Sequence, residues 1–159
     1  MSEKSKKDTQ SAIVVNKKAG RNFELVEKFE AGLSLLGTEV KSLRAGTADL
    51  SGSYARIIND ECFLIGASIT QYDRASTDNH EPTRKRKLLL HAAEIRKIKI
   101  QLQQRGFTLV PLKMYFNKRG FAKLQLALAR GKKQYDKRSS IIERSQEKQI
   151  RQRMRKFRT

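Results

Sequence analysis

The sequence predicts a mainly β fold with flanking helices, closed into a small antiparallel barrel and followed by a basic C-terminal tail. Three observations predict it. Several short runs alternate apolar and polar residues, the period of a half-buried strand. Gly, Asn and Asp separate those runs, and these residues tolerate the left-handed backbone of tight turns. After Ala129 the composition changes abruptly: residues 130–159 hold 12 Lys and Arg against three acids, too much charge and too little apolar surface for a packed core.

Residues 1–11 have no apolar side chain after Met1 and are expected to form a disordered leader. The barrel with its helices is expected over 12–130. Ile13-Val14-Val15 and the apolar positions Phe23, Leu25, Phe29, Leu33 and Leu35 read as short strands, with Gly20, Gly32 and Gly37 where turns or bulges cost little. Val40 and Leu43 then recur at helical spacing, which predicts a helix over 36–45 with Thr38 as cap and Gly46 as stop. Tyr54 to Ile58 and Cys62 to Ile65 flank Asn59-Asp60-Glu61, the pattern of a hairpin. Residues 71–83 are polar and carry Pro82, so they read as a surface loop.

From Ala92, Ile95, Ile98 and Leu102 share one helical stripe that Gly106 terminates. Val110, Leu112, Met114 and Phe116 return to period two, with Pro111 marking an edge or bulge and Asn117-Lys118-Arg119-Gly120 making the turn. Leu124, Leu126 and Leu128 form the partner strand, with Lys123 and Gln125 on its other face. Five or six short strands with two helices make a small OB-like antiparallel β-barrel the expected fold. The tail, 131–159, is expected to be disordered when free. Its Ile150, Met154 and Phe157 fall at helical spacing, so it is expected to turn helical on a phosphate-lined partner.

The chain has 159 residues, 35 Lys and Arg against 16 Asp and Glu, and a net charge of +19. The excess is localised: residues 22–81 sum to −5, whereas 82–129 and 130–159 sum to +11 and +9. Such a polycation attracts polyanions, and release of condensed counterions makes nucleic acid the leading partner. No run approaches 18 apolar residues and the N-terminus is polar, so neither a membrane span nor a secretory signal is read, and a cytoplasmic protein is expected. One cysteine, Cys62, and two histidines, His80 and His91, offer neither a disulfide framework nor a metal site. No cofactor and no small-molecule substrate is expected.

Arg84-Lys85-Arg86-Lys87 precedes Leu88-Leu89-Leu90, pairing phosphate-binding cations with an apolar anchor. Asn16-Lys17-Lys18 and Arg21 offer similar chemistry, because Asn can read a base or sugar edge while the cations hold phosphates. Glu30 interrupts an apolar run and is expected to face solvent or accept hydrogen bonds from a buried donor. Cys62 and His91 sit beside apolar residues and read as core or boundary positions. No paired acids, Ser-His-Asp set or activated cysteine can be assembled, and Gly131-Lys132 lacks the P-loop spacing, so no enzyme is read.

Four stretches in order carry a resemblance. They are Phe29-Glu30-Ala31-Gly32, Gly37-Thr38-Glu39-Val40-Lys41-Ser42-Leu43-Arg44, Pro82-Thr83-Arg84 with Lys87-Leu88-Leu89-Leu90, and Gly131-Lys132-Lys133 with Tyr135-Asp136-Lys137-Arg138. Together they resemble the small protein B family of SsrA-binding proteins over about residues 13–144. The resemblance implies an OB-like body that binds the tRNA-like domain of transfer-messenger RNA in the place of an anticodon arm. It also implies a tail that enters the empty mRNA channel near the decoding centre of stalled bacterial ribosomes and turns helical there. Asn16, Lys17, Lys18, Glu30, Lys41, Arg44 and Arg84 to Leu90 fall in stretches tied to the body's RNA surface. By the same resemblance Gly131, Lys132, Lys133, Tyr135, Asp136, Lys137 and Arg138 would act at the decoding centre, with Tyr135 able to stack on a base. The alternative is an OB-fold ribosomal or translation-initiation protein that binds ribosomal RNA directly.

Overall fold

The computed structural model describes residues 13–75 and 77–156; the expected leader, 1–11, lies outside the described residues. In chain order the elements are β1 (Val14–Val15), α1 (Ala19–Asn22), β2 (Phe23–Leu33), α2 (Gly37–Arg44), β3 (Ala48–Asp49), β4 (Tyr54–Ile58) and β5 (Glu61–Ile65). There follow β6 (Ser68–Ile69), β7 (Arg86–Leu89), α3 (Ala92–Leu102), β8 (Phe107–Phe116), β9 (Ala122–Gly131) and α4 (Gln134–Lys156).

Six antiparallel strands close a ring, with β8 beside β4, then β5, β7, β2 and β9, which pairs back to β8. Closure leaves few free sheet edges for another chain to pair with. β1 joins β8 at Lys113 and Met114, while β4 meets the same strand only where Ala55 faces Leu109. That seam is the thinnest in the ring. Asn59 and Asp60 take φ of 49° and 58°, the left-handed pair a two-residue hairpin turn requires.

The ring encloses Leu64, Leu88, Leu109, Met114, Leu124 and Leu128; α2 adds Leu43 to the same core and α3 adds Ile98, with Leu102 packed partly buried against it. A second, outer cluster forms where α1 lies on β8 and β9, packing Ala19 against Val110, Ala127 and Ala129. The two alanines of β9 face outward because its leucines face inward, and their small side chains let α1 approach.

Period two along β8 places Val110, Leu112, Met114 and Phe116 on one face, and here the structure differs. Val110 and Leu112 belong to the outer cluster, Met114 and Phe116 to the inner one. Pro111 faces Leu126 and Lys113 faces Gln125, so Leu112 is an inserted residue. One inserted residue exchanges the faces of everything beyond it. β2 has a similar irregularity between Leu25 and Glu27, not at Gly32. The strand runs through Gly32, whose lack of a side chain allows close pairing: a Cβ there would lie 3.3 Å from Leu89 Cβ.

The helix expected over 36–45 is α2, but Thr38 is not its cap. The Leu36 N–H donates to Glu39 Oε2 at 2.8 Å, closing the first turn from the third helical position. Thr38 instead meets His80, which is buried: His80 Nδ1 lies 2.9 Å from Thr38 Oγ1 and Nε2 lies 2.9 Å from the Ile69 carbonyl. A carbonyl only accepts, so Nε2 carries the proton. His91, read as a core or boundary position, is exposed and caps α3. The elements α1, β3 and β6 have two to four residues each, too few for any period to announce them. The tail, expected to be disordered when free, is helical over Gln134–Lys156; Phe157 lies outside the described residues. β9 runs to Gly131, and the Lys132 N–H donates to Asn22 O at 3.0 Å, so the ladder continues two residues past the expected boundary at 130.

Candidate RNA-binding surface

The basic run divides by strand alternation. Arg86 and Leu88 face inward on β7, while Lys87 and Leu89 face out. Arg86 is therefore not a surface cation: it is 0% exposed. It donates through Nε to Glu39 Oε1 at 2.9 Å, through Nη1 to Ala67 O at 2.8 Å and through Nη2 to Pro82 O at 2.8 Å. Arg84, partly exposed, grips the same carboxylate with Nε at 2.8 Å and Nη2 at 2.5 Å.

Burial pushes the Glu39 carboxyl up. The Arg84 hydrogen bond, the Leu36 N–H and the charges of Arg86 and Arg84 outweigh it and hold the group below its ordinary value. Burial likewise lowers the Arg86 guanidinium, against the opposing pull of Glu39, yet arginine stays charged. This buried cluster joins α2 to the strand that follows the 71–83 loop and so positions Lys41 and Arg44 on the exposed side of α2. Lys41 Nζ lies 5.3 Å over the Tyr72 ring, and the Arg44 guanidinium 5.3 Å over Phe116.

Beyond Phe116, a groove of about 740 Å³ opens between the ends of β2, β7 and α3 and the β8–β9 turn. Glu30, Leu89, Leu90, Arg119, Phe121 and Lys123 line it. The Tyr115 hydroxyl donates to Glu30 Oε2, and Lys123 Nζ lies 3.7 Å from Glu30 Oε1. Burial, then the bond to Glu30 and its charge, push the Tyr115 phenol above its ordinary range, so it stays a donor. Glu30 is thus held from a buried hydroxyl while its side chain remains 57% exposed. Exposed Leu89 and Phe121 supply apolar and stacking surface beside these charges, the mixture that grips an RNA fold.

The structure brings Glu30 and Leu90 into this groove and Arg44 beside it at Phe116, whereas Lys41 lies over Tyr72 of the 71–83 loop. Lys123, Arg119, Phe121 and Tyr115 join them and were missed by the sequence reading; the alternation that places Lys123 opposite the Leu124 face was the signal available for one of them. Lys85 is exposed, and Lys87 is exposed and paired with Glu61.

Asn16, Lys17, Lys18 and Arg21 stand apart from that groove, in the segment that leads into and forms α1. Asn16 spends its amide on structure, donating to Pro111 O at 3.0 Å and Leu50 O at 3.4 Å and accepting from the Lys18 N–H at 3.2 Å. Lys17, Lys18 and Arg21 are exposed. The tail starts beside them: Lys132 Nζ and Arg144 Nη2 both donate to Gly20 O, at 3.3 and 3.1 Å. Gly131 ends β9, Lys133 is exposed, and Tyr135, Asp136, Lys137 and Arg138 lie in the first turns of α4. Among the described residues no His, Cys, Asp and Glu cluster suits a metal ion, and no helix is long and apolar enough to cross a membrane.

Comparison with known proteins gives a consistent result. Residues 13–156 match the family described as SmpB protein. The SsrA-binding protein of Syntrophobacter fumaroxidans is 53% identical over 138 residues, covering 87% of this chain and 85% of that protein. Its counterpart in Caldicellulosiruptor saccharolyticus is 45% identical over 157 residues, 99% of each chain. The Thermus thermophilus protein of the same description is 52% identical over 126 residues, 79% of this chain and 88% of its own. A solved chain from work on tmRNA-SmpB at the center of the bacterial ribosome superposes with a TM-score of 0.65 at 48% identity, covering 80% of this chain and 92% of that one.

Proposed function

The chain belongs to the SmpB protein family, and from that premise we propose that it binds the tRNA-like domain of transfer-messenger RNA and escorts it to stalled ribosomes for trans-translation. The observation that carries this reading is the separation of two cationic regions along the barrel. The Glu30 groove with Lys123, Arg119 and Arg44 lies at the Phe116 end of β8. The tail leaves at the other end, where Arg130 faces Phe107. β8 has ten residues, so the two ends are roughly 30 Å apart at about 3.3 Å per residue. One molecule can thereby hold two RNAs at once. The body grips the transfer-messenger RNA, and the tail, already helical over Gln134–Lys156, enters an empty mRNA channel near the decoding centre. The protein acts in the cytoplasm and as a binder rather than a catalyst.

Truncation after Lys133 leaves the β2–β9 ladder whole and tests this division. Binding of a tRNA-like transcript should stay within about twofold of the full chain while peptide tagging on stalled ribosomes is lost. Lys123→Ala should instead weaken transcript binding, by roughly tenfold if one charge-assisted contact of about 1–2 kcal/mol is lost. Loss of both activities on truncation refutes the division of labour. RNA recovered with the protein from cells should contain one discrete tRNA-like species; ribosomal RNA alone would favour a direct ribosomal RNA binder.

A further inference from the structure

α3 turns Ile98 and Leu102 toward the core and leaves an adjoining face uncovered among the described residues. Between that face and the β4–β5 turn at Asp60 lies a groove of about 540 Å³. Ala92, Ile95, Lys99 and Gln103 line it at spacings of three and four, so they share one side of the helix. Ile100 lies on its border, 64% exposed. The groove shares no lining residue with the one around Glu30.

The lining is ill suited to RNA. Lys99 Nζ lies 2.6 Å from Asp60 Oδ1, so its charge is matched and a carboxylate stands where a phosphate would be repelled. No aromatic ring lines the groove, so it lacks the stacking platform that unpaired RNA uses. Lys97, on the neighbouring side of α3, is bonded to Glu27. Arg96 is left, exposed and without an acidic partner among the described residues. Aliphatic surface beside one unmatched cation suits a helix laid in a groove, where apolar anchors give affinity and a charge sets register.

We propose that this groove docks an acidic amphipathic helix of another protein, whose aliphatic side chains pack on Ile95 and Ile100 while a carboxylate meets Arg96. The sign of the charge selects the partner. A second copy of this chain would set Arg96 against Arg96 and bring together two chains of +19 each. The chain's own tail helix carries exposed Ile142, Ile150 and Met154, but residues 130–159 sum to +9, which opposes a lining whose unmatched charge is positive. An acidic helix meets neither obstacle. Because the groove is separate from the one around Glu30, the helix can dock while that other groove is occupied.

The test uses the full chain and a fluorescein-labelled helical peptide of about four turns, with leucine at every third or fourth position and glutamate on the remaining faces. Anisotropy at near-physiological salt reads its affinity. Ile100→Asp should weaken binding by about tenfold or more, because an apolar anchor is lost. Arg96→Glu should weaken it by about tenfold and should prefer a peptide with lysine in place of glutamate, a reversal that loss of folding cannot produce. On the parent chain, a peptide with alanine in place of leucine should bind at least about tenfold more weakly. Both variants should hold the tRNA-like transcript within about twofold of the parent. Equal binding of the leucine and alanine peptides would mean attraction by net charge alone and would overturn the proposal. So would peptide binding indifferent to both substitutions, or a parallel loss of transcript binding, which would make this face an RNA contact.

Discussion

Replacing Glu39 by Gln removes the negative charge bonded to two guanidinium groups while keeping nearly the same shape. Arg86 then stays fully buried among neutral acceptors, the Ala67, Pro82 and Arg84 carbonyls and the new amide oxygen, with Glu81 as the weaker negative charge left nearby. An uncompensated buried charge costs about 3–5 kcal/mol, a large part of the roughly 5–15 kcal/mol that holds a domain together. Arg84 is partly in solvent, its side chain 28% exposed, so Arg86 accounts for most of the cost. At about 2–4 °C per kcal/mol for a chain of this size, the melting midpoint should fall by roughly 6–20 °C. Circular dichroism at pH 7 reads this directly.

The pH dependence has a definite sign. The Glu39 carboxyl lies below its ordinary value of 4.5 in the fold, so its contribution is fully present above that value and is lost as pH falls through the lowered native value. The gap between parent and Glu39→Gln should therefore narrow in acid. Replacing both partners, Glu39→Leu with Arg86→Met, should recover part of the loss because no buried charge is then left alone. A midpoint within about 2 °C of the parent at pH 7, or a gap indifferent to acid, would refute the reasoning.

Cys62 is fully buried, and burial pushes its thiol up to about 11, against a smaller pull from the Phe63 N–H; at pH 8 a thiol-specific reagent should label it only at the rate of unfolding, and rapid labelling of the native chain would contradict this. For RNA binding, neutralising about six phosphates predicts a log–log salt slope of roughly −4 to −6; a titration in potassium chloride that gives a flat line would exclude a phosphate-dominated interface.

Much of this protein was legible in residue order alone, wherever a feature is local. The Asn59-Asp60 turn, the Ile95, Ile98 and Leu102 stripe, and the inward leucines of β9 follow from backbone preferences and periods within a few residues. The concentration of charge after Pro82, and the four motifs shared with SmpB proteins, needed no coordinates either.

Tertiary structure decided what distant residues do to one another. Arg84-Lys85-Arg86-Lys87 reads as one cationic patch, but β7 turns Arg86 inward beside Leu88, and barrel closure brings it to Glu39, 47 positions earlier. His80 reaches Thr38 across 42 positions, and Lys123 reaches Glu30 because β9 lies against β2. The inserted Leu112 reversed the faces of β8 where Pro111 had only marked a bulge. Local sequence sets which conformations a segment prefers; which side of a strand meets core or solvent is set by the ring it closes into, and the groove proposed to face RNA is made of side chains that only that closure assembles.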